Sequence, residues 1–178
     1  LPLLLPTFGV NNNGRTEMQD QRSSGNYGHS MLPHDVDPDF LENARLKLLY
    51  DLDIFDTEPE ASFDTLTALA AKLCGKPISL VSLVDSHRQF FKSRFGADMT
   101  ETPRTESFCS HAIAALDTDG GLFEVPDTHQ DDRFSSSPLV IEEPQIRHYA
   151  GIPLRPTGNI AVGTLCVIGP DAGRLSEQ

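Results

Sequence analysis

The stretch "PISLVSLVD" at 77–85 constrains the fold most. It is β-branched and apolar on both faces, so it reads as a central strand. The next run, "RQFFKSRFG" at 88–96, alternates. Phe91 and Phe95 fall on one side, and Arg88, Lys92 and Arg94 on the other. Only Ser86 and His87 link the two runs, which makes them a hairpin.

The flanking sequence supplies the layers around that hairpin. "DPDFLENARLKLLYDL" places Phe40, Leu41, Ala44, Leu48 and Leu49 at helical spacing, with Asp37 as cap and Pro38 at the first helical position. A second helix follows, capped by Asp56 or Thr57, with Phe63, Leu66, Leu69, Ala70 and Leu73 as its apolar stripe and Gly75 as its stop. "SFCSHAI" (107–113) reads as a short helix capped by Ser107 and running through Leu116. Strands are expected within 120–127, 146–155 and 159–169, the last two joined by a turn at 156–159, with a helical turn and loop over 131–143. "RLSEQ" reads as the start of another helix capped by Ser176. Hairpins dominate this order, so the expected class is α+β, a mostly antiparallel sheet covered by helices. Residues 1–37, with "NNNG" and "SSGNYGHS", read as a flexible leader, and the domain occupies 38–178.

Composition removes several function classes. The net charge of −12 argues against nucleic acid or an anionic membrane as partner. "LPLLLP" at the start is short, holds two prolines and has no basic region before it, so it does not read as a signal peptide. Cys74, Cys109 and Cys166 are an odd number and form no CxxC, which fits a reducing, cytoplasmic setting rather than a disulfide framework or zinc site. No phosphate-loop, GxSxG or HExxH motif occurs, and His87, His129 and His148 lack metal-ligand spacing. Gly163, inside an apolar strand, permits close packing or leaves room for a ligand.

Cys109 and His111 are the nearest thing to a local catalytic pair. Two positions on a helix diverge by about 200°, so they do not meet as nucleophile and base. Cys109 shares the sheet-facing side with Ala112, Ile113 and Leu116, while His111 lies toward the flank. An inert buried thiol and a thiol lining a ligand cavity both remain open.

Taken together, "ARLKLLYDLDIFDTEPEASFDTLTALAAKLCGKPISLVSLVDSHRQFFKSRFG", "ETPRTESFCSHAI", "VPDTHQDDRFSSSPLV", "IRHYAGIPLR" and "AVGTLCVIG" closely resemble GAF domains. The likeness is to the branch at the front of bacterial sensor histidine kinases and diguanylate cyclases. It covers about 38–178 in unbroken order. The resemblance implies a PAS-related antiparallel sheet of five or six strands with helices on both faces. One face carries the terminal helices, which in this family often pair with a second subunit as a homodimer. The other encloses a small-molecule pocket, with "SFCSHAI" and "DDRFSSSPLV" as its lids and "HYAGIPL" as its floor. The pocket residues expected on this basis are Phe91, Phe108, Cys109, Ile113, Arg133, Phe134 and Tyr149; His148 stands where relatives often carry an aromatic. No cofactor is required. Bilin attachment is disfavoured because a serine separates Cys109 from His111, and an NKxxE-like cyclic-nucleotide motif is missing.

The expected function is a non-catalytic sensor module for an unknown small molecule, with a kinase or cyclase as output. The alternatives are a purely structural dimerisation module whose pocket Phe90, Phe91, Phe95 and Phe108 fill, and a redox enzyme built on Cys109.

Overall fold

A computed structural model describes residues 37–115 and 121–175, together with the backbone of 9–10 and 16–17. Contacts divide the chain into Leu1–Val36 and Asp37–Gln178. In the first unit β1 (Gly9–Val10) pairs antiparallel with β2 (Thr16–Glu17). The expected leader and the positions of Leu116, Gly120 and Ser176 otherwise lie outside the described residues.

The second unit is α+β. Its sheet is antiparallel and six-stranded, in the order β5-β4-β3-β8-β7-β6. The strands are β3 (Ile78–Val84), β4 (Arg88–Phe95), β5 (Glu101–Pro103), β6 (Phe123–Val125), β7 (His148–Leu154) and β8 (Gly163–Gly169). The two-sided apolar run is indeed central: β3 lies between β4 and β8 and is buried from Ser79 to Val84. β5 was not expected, because a three-residue edge strand leaves no periodic signal.

Helices α1 (Pro38–Asp51) and α2 (Ala61–Cys74) belong to one layer, and α3 (Phe108–Ala114) and α4 (Pro138–Ile141) to the other. The Asp37 carboxylate accepts from the Asp39 amide at 3.0 Å, with Pro38 in the first turn. Gly75 closes α2 in the left-handed region, at φ 61°. The apolar stripes need correction. On α1 the buried residues are Arg45 and Leu49, and Phe40 and Leu41 are exposed. Helix α2 starts later than expected, after Glu60 and without a side-chain cap. It buries Thr67 and Ala71, and Leu66, Leu69 and Leu73 face out.

The physical reason lies in β4. Val81 pairs with Ser93 and Ser82 with Phe91, which leaves Lys92 as the extra residue of a bulge. Lys92 is therefore turned under α2, where its fully buried ammonium meets the Glu58 carbonyl at 2.8 Å and the Glu60 carboxylate at 2.7 Å. Next to it, Ser93 Oγ lies 2.9 Å from Thr67 Oγ1 and donates to Asp64 at 2.7 Å. A sheet face with these polar groups is satisfied by the polar side of α2, not by its leucines.

Arg45 anchors α1. Its guanidinium donates to the Val84 carbonyl and makes a fork with Glu42, at 2.8 and 2.7 Å. Glu42 also receives Arg104, from the segment leading into α3. Hydrogen bonding from Arg45 dominates, and with Arg104 it holds the Glu42 carboxyl down at about 2.

The larger core lies on the opposite face, where Leu80, Phe91, Phe108, Phe134, Tyr149, Cys166 and Ile168 are buried together. A smaller one, Leu49 with Leu83 and Val162, sits beneath α1. Among the described residues no helix is long and apolar enough to cross a membrane.

Candidate functional site

The site is built on the first turn of α3. Ser107 caps that turn by accepting from the Ser110 amide at 3.0 Å. The same hydroxyl donates to Gln89 Oε1, and Gln89 Nε2 reaches Thr102 Oγ1 at 3.4 Å. These buried polar groups link α3, β4 and β5 at one side of a cavity of about 330 Å³. The remaining wall is apolar: Ile78, Leu80, Phe91, Leu139, Ile146 and Ile168. Asp98, Met99 and Glu143 line it as well and are exposed, so the cavity opens to solvent there. Among the described residues no lysine, arginine or histidine lines it.

Four of the seven expected pocket residues converge on this cavity: Phe91, Phe108, Cys109 and Tyr149. Tyr149 rises from β7 with its hydroxyl 3.3 Å from Cys109 Sγ, to which it donates, and Thr164 donates to the same sulfur at 3.0 Å. Gly151 makes room for this arrangement, because a Cβ there would sit 2.5 Å from the Tyr149 hydroxyl.

The other three lie elsewhere. Helix α3 has seven residues, and only its first turn borders the cavity. Ile113, on the second turn, lines a separate groove with Leu41, Arg104 and Ala161. Phe134 is buried behind Phe108, ring centroids 4.3 Å apart, and supports the cavity wall without reaching the cavity. Arg133 is exposed and forms a fork with Asp131 at 2.9 and 2.6 Å, its guanidinium over the rings of Phe123 and Phe134. Gln89 and Thr102 were missed. Gln89 falls on the Phe91 side of the β4 alternation, a signal that was legible; Thr102 sits on the unrecognised edge strand.

His111 does not meet Cys109. It is exposed, packs edge-on to Phe134 at 4.8 Å, and its pKa is lowered by burial and by the Arg133 charge. His148 is wholly buried on the opposite face of the sheet, its Nε2 3.1 Å from Glu124, and burial lowers its pKa. Among the described residues no three metal-ligating side chains converge.

Cys109 is buried and lines the cavity. Burial pushes the Cys109 thiol up, but contacts with Cys166, Ser82, Thr164 and Tyr149 outweigh it and hold its pKa below the usual cysteine value. The Cys166 thiol is pushed well up, by its hydrogen bond with Cys109 and by burial.

Of the four phenylalanines proposed to fill the pocket, only Phe91 and Phe108 border it, and as walls. Phe90 turns to the α1 side and packs on Phe55 at 5.1 Å, and Phe95 is partly exposed.

The GAF domain family model matches residues 58–178. A cyclic di-GMP phosphodiesterase from Pseudomonas aeruginosa is 37% identical over 138 residues, 77% of this chain. The chain spans 23% of that relative's length. Two solved structures share the fold at a TM-score of 0.50. One is a free methionine-R-sulfoxide reductase from Neisseria meningitidis, at 18% identity over 78% of this chain and 79% of its own. The other is the GAF domain of a phosphoenolpyruvate-protein phosphotransferase from Coxiella burnetii, at 10% identity over 76% and 81%.

One of these matches corrects the expectation that the chain is no enzyme. The curated relative bears the name of a phosphodiesterase.

Proposed function

The chain belongs to the GAF domain family, and from that membership we propose that it is the ligand-receiving, regulatory segment of a protein that turns over cyclic di-GMP. The cavity carries this reading. Its volume falls in the range of small-molecule sites. Its lining is apolar with one hydrogen-bonding side, Ser107–Gln89–Thr102, and among the described residues its charged groups are the carboxylates of Asp98 and Glu143. Such a lining favours a neutral or cationic molecule and repels a diphosphate. The ligand is therefore chemically distinct from the dinucleotide. The relative's name supports the output, and sequence identity over a quarter of that protein supports the regulatory segment.

The outward leucines support a second part of the proposal, a homodimer. Leu66, Leu69 and Leu73 lie at helical spacing on the exposed side of α2 and suit a like surface on another copy. Glu42 supports a route between site and terminus, since it ties α1 to the Arg104 segment just ahead of α3.

Ala97, half-buried at the cavity, is the place to imitate occupancy. In the full-length protein, Ala97→Phe should change cyclic di-GMP turnover by about 5-fold or more, the scale of common coupling energies. Turnover should be measured alongside for the isolated chain. An A97F protein that keeps its melting temperature and turns over substrate at the wild-type rate would remove the regulatory role of the cavity.

A further inference from the structure

The rim and the inner polar side of the cavity narrow what it receives; this step rests on the reading of the cavity as a ligand site. Asp98 stands on the link from β4 to β5, and Glu143 on the link from α4 to β7. Both are exposed and border the cavity where it opens. Among the described residues neither carboxylate has an ion pair or a side-chain hydrogen bond. Elsewhere on the surface carboxylates are matched: Asp56 and Glu101 hold Arg88, and Asp131 holds Arg133. Arg94 reaches the same rim, but its guanidinium donates to the Met99 carbonyl at 3.4 Å and does not line the cavity.

The inner side adds a second requirement. Gln89 and Thr102 line the cavity and are at most 9% exposed. Gln89 Nε2 carries two hydrogens and gives one to Thr102 Oγ1, at 3.4 Å. The Thr102 hydroxyl accepts that bond, and among the described residues its own hydrogen has no acceptor. Buried donors are rarely left unpaired. Two hydrogens are therefore ready for an oxygen supplied from the cavity.

We propose that the cavity takes a small amphipathic cation, an amine with an apolar body and one acceptor oxygen. The body packs on Leu80, Phe91 and Ile168, the oxygen accepts from Gln89 or Thr102, and the ammonium stays at the mouth beside Asp98 and Glu143. A charge drawn into the apolar wall would lose its hydration, whereas at the rim it keeps water and gains two carboxylates. An anion is repelled at the same place, and a neutral analogue gains nothing from it.

Four probes of one ring system test this: tyramine, a cation; 4-ethylphenol, neutral; 3-(4-hydroxyphenyl)propionate, an anion; and 2-phenylethylamine, a cation without the hydroxyl. The labelled chain is titrated with each, and binding is read at the amides of Gln89, Phe91 and Thr102. Tyramine should bind about fivefold tighter than 4-ethylphenol, and the propionate most weakly. Added salt should narrow the difference, since the rim is exposed. 2-Phenylethylamine should bind about threefold more weakly than tyramine. In a D98N/E143Q double variant, tyramine and 4-ethylphenol should bind alike. Equal affinities of these two for the unaltered chain overturn the cationic class and leave the receptor reading standing. A preference for tyramine that survives in D98N/E143Q overturns it too, because the attraction then belongs to the net charge of −12 and not to the mouth. 2-Phenylethylamine binding as tightly as tyramine overturns the oxygen contact. If no probe shifts these amides, the receptor reading itself falls.

Discussion

Replacing Gly163 by alanine should destabilise the domain by about 3 kcal/mol or more, a large share of the stability of an ordinary domain. Gly163 opens β8 and pairs with Leu83 of β3. A Cβ on it would lie 1.9 Å from the Ser82 carbonyl oxygen and 2.9 Å from its carbon. The obstacle is backbone, and it belongs to the central strand, which is hydrogen-bonded to β4 on its other side. Neither strand can withdraw without breaking a ladder. Gly151 is a milder case, because the atoms facing it belong to side chains, those of Tyr149 and Cys166. Urea denaturation should place the G163A midpoint far below that of wild type. An unchanged midpoint would mean that β3 and β8 are not packed as described.

Phe134→Ala should cost about 3–5 kcal/mol, the scale of losing a buried aromatic, while Arg133→Ala should stay within about 0.5 kcal/mol. The family resemblance places both neighbours in the pocket, and the structure separates them. Phe134 is 3% exposed, stacks on Phe108 and meets the edge of His111. Its removal leaves a void behind the cavity wall, so Phe108 loses its backing. Arg133 is half-exposed, and its ion pair with Asp131 is a surface fork. Thermal denaturation of both variants checks the contrast. Similar losses in the two would place Arg133 in the structural core after all.

What the sequence made legible follows from local rules. The hairpin at 77–95 shows because its alternation and link length are local. Asp37, Pro38, Gly75 and Ser107 act at helix ends as their types dictate. The inward turn of Cys109 follows from helix geometry alone. The misses arise where a residue's environment is set by distant chain. Lys92 is buried because a bulge turns it toward Glu60. That polar seam then inverts the face of α2, so that Thr67 is inside and Leu73 is outside. The Ser107–Gln89–Thr102 side of the cavity needs β5, whose three residues carry no pattern. Ile113 was drawn into the pocket by helical spacing, which does not say how far along α3 the cavity extends. The hydrogen-bond partners of Cys109, Tyr149 and Thr164, were not legible because they lie 40 and 55 positions away along the chain.

Amide chemical-shift mapping of the labelled chain with indole and phenol, both neutral aromatics, tests most directly whether the space beneath α3 accepts a ligand. Shifts should concentrate at Gln89, Phe91, Thr102, Ser107 and Phe108, saturate with rising probe, and disappear in A97F. Inorganic phosphate should produce none there. Shifts confined to the outer leucines of α2, or identical in A97F, would contradict a receptor cavity at this place in the fold.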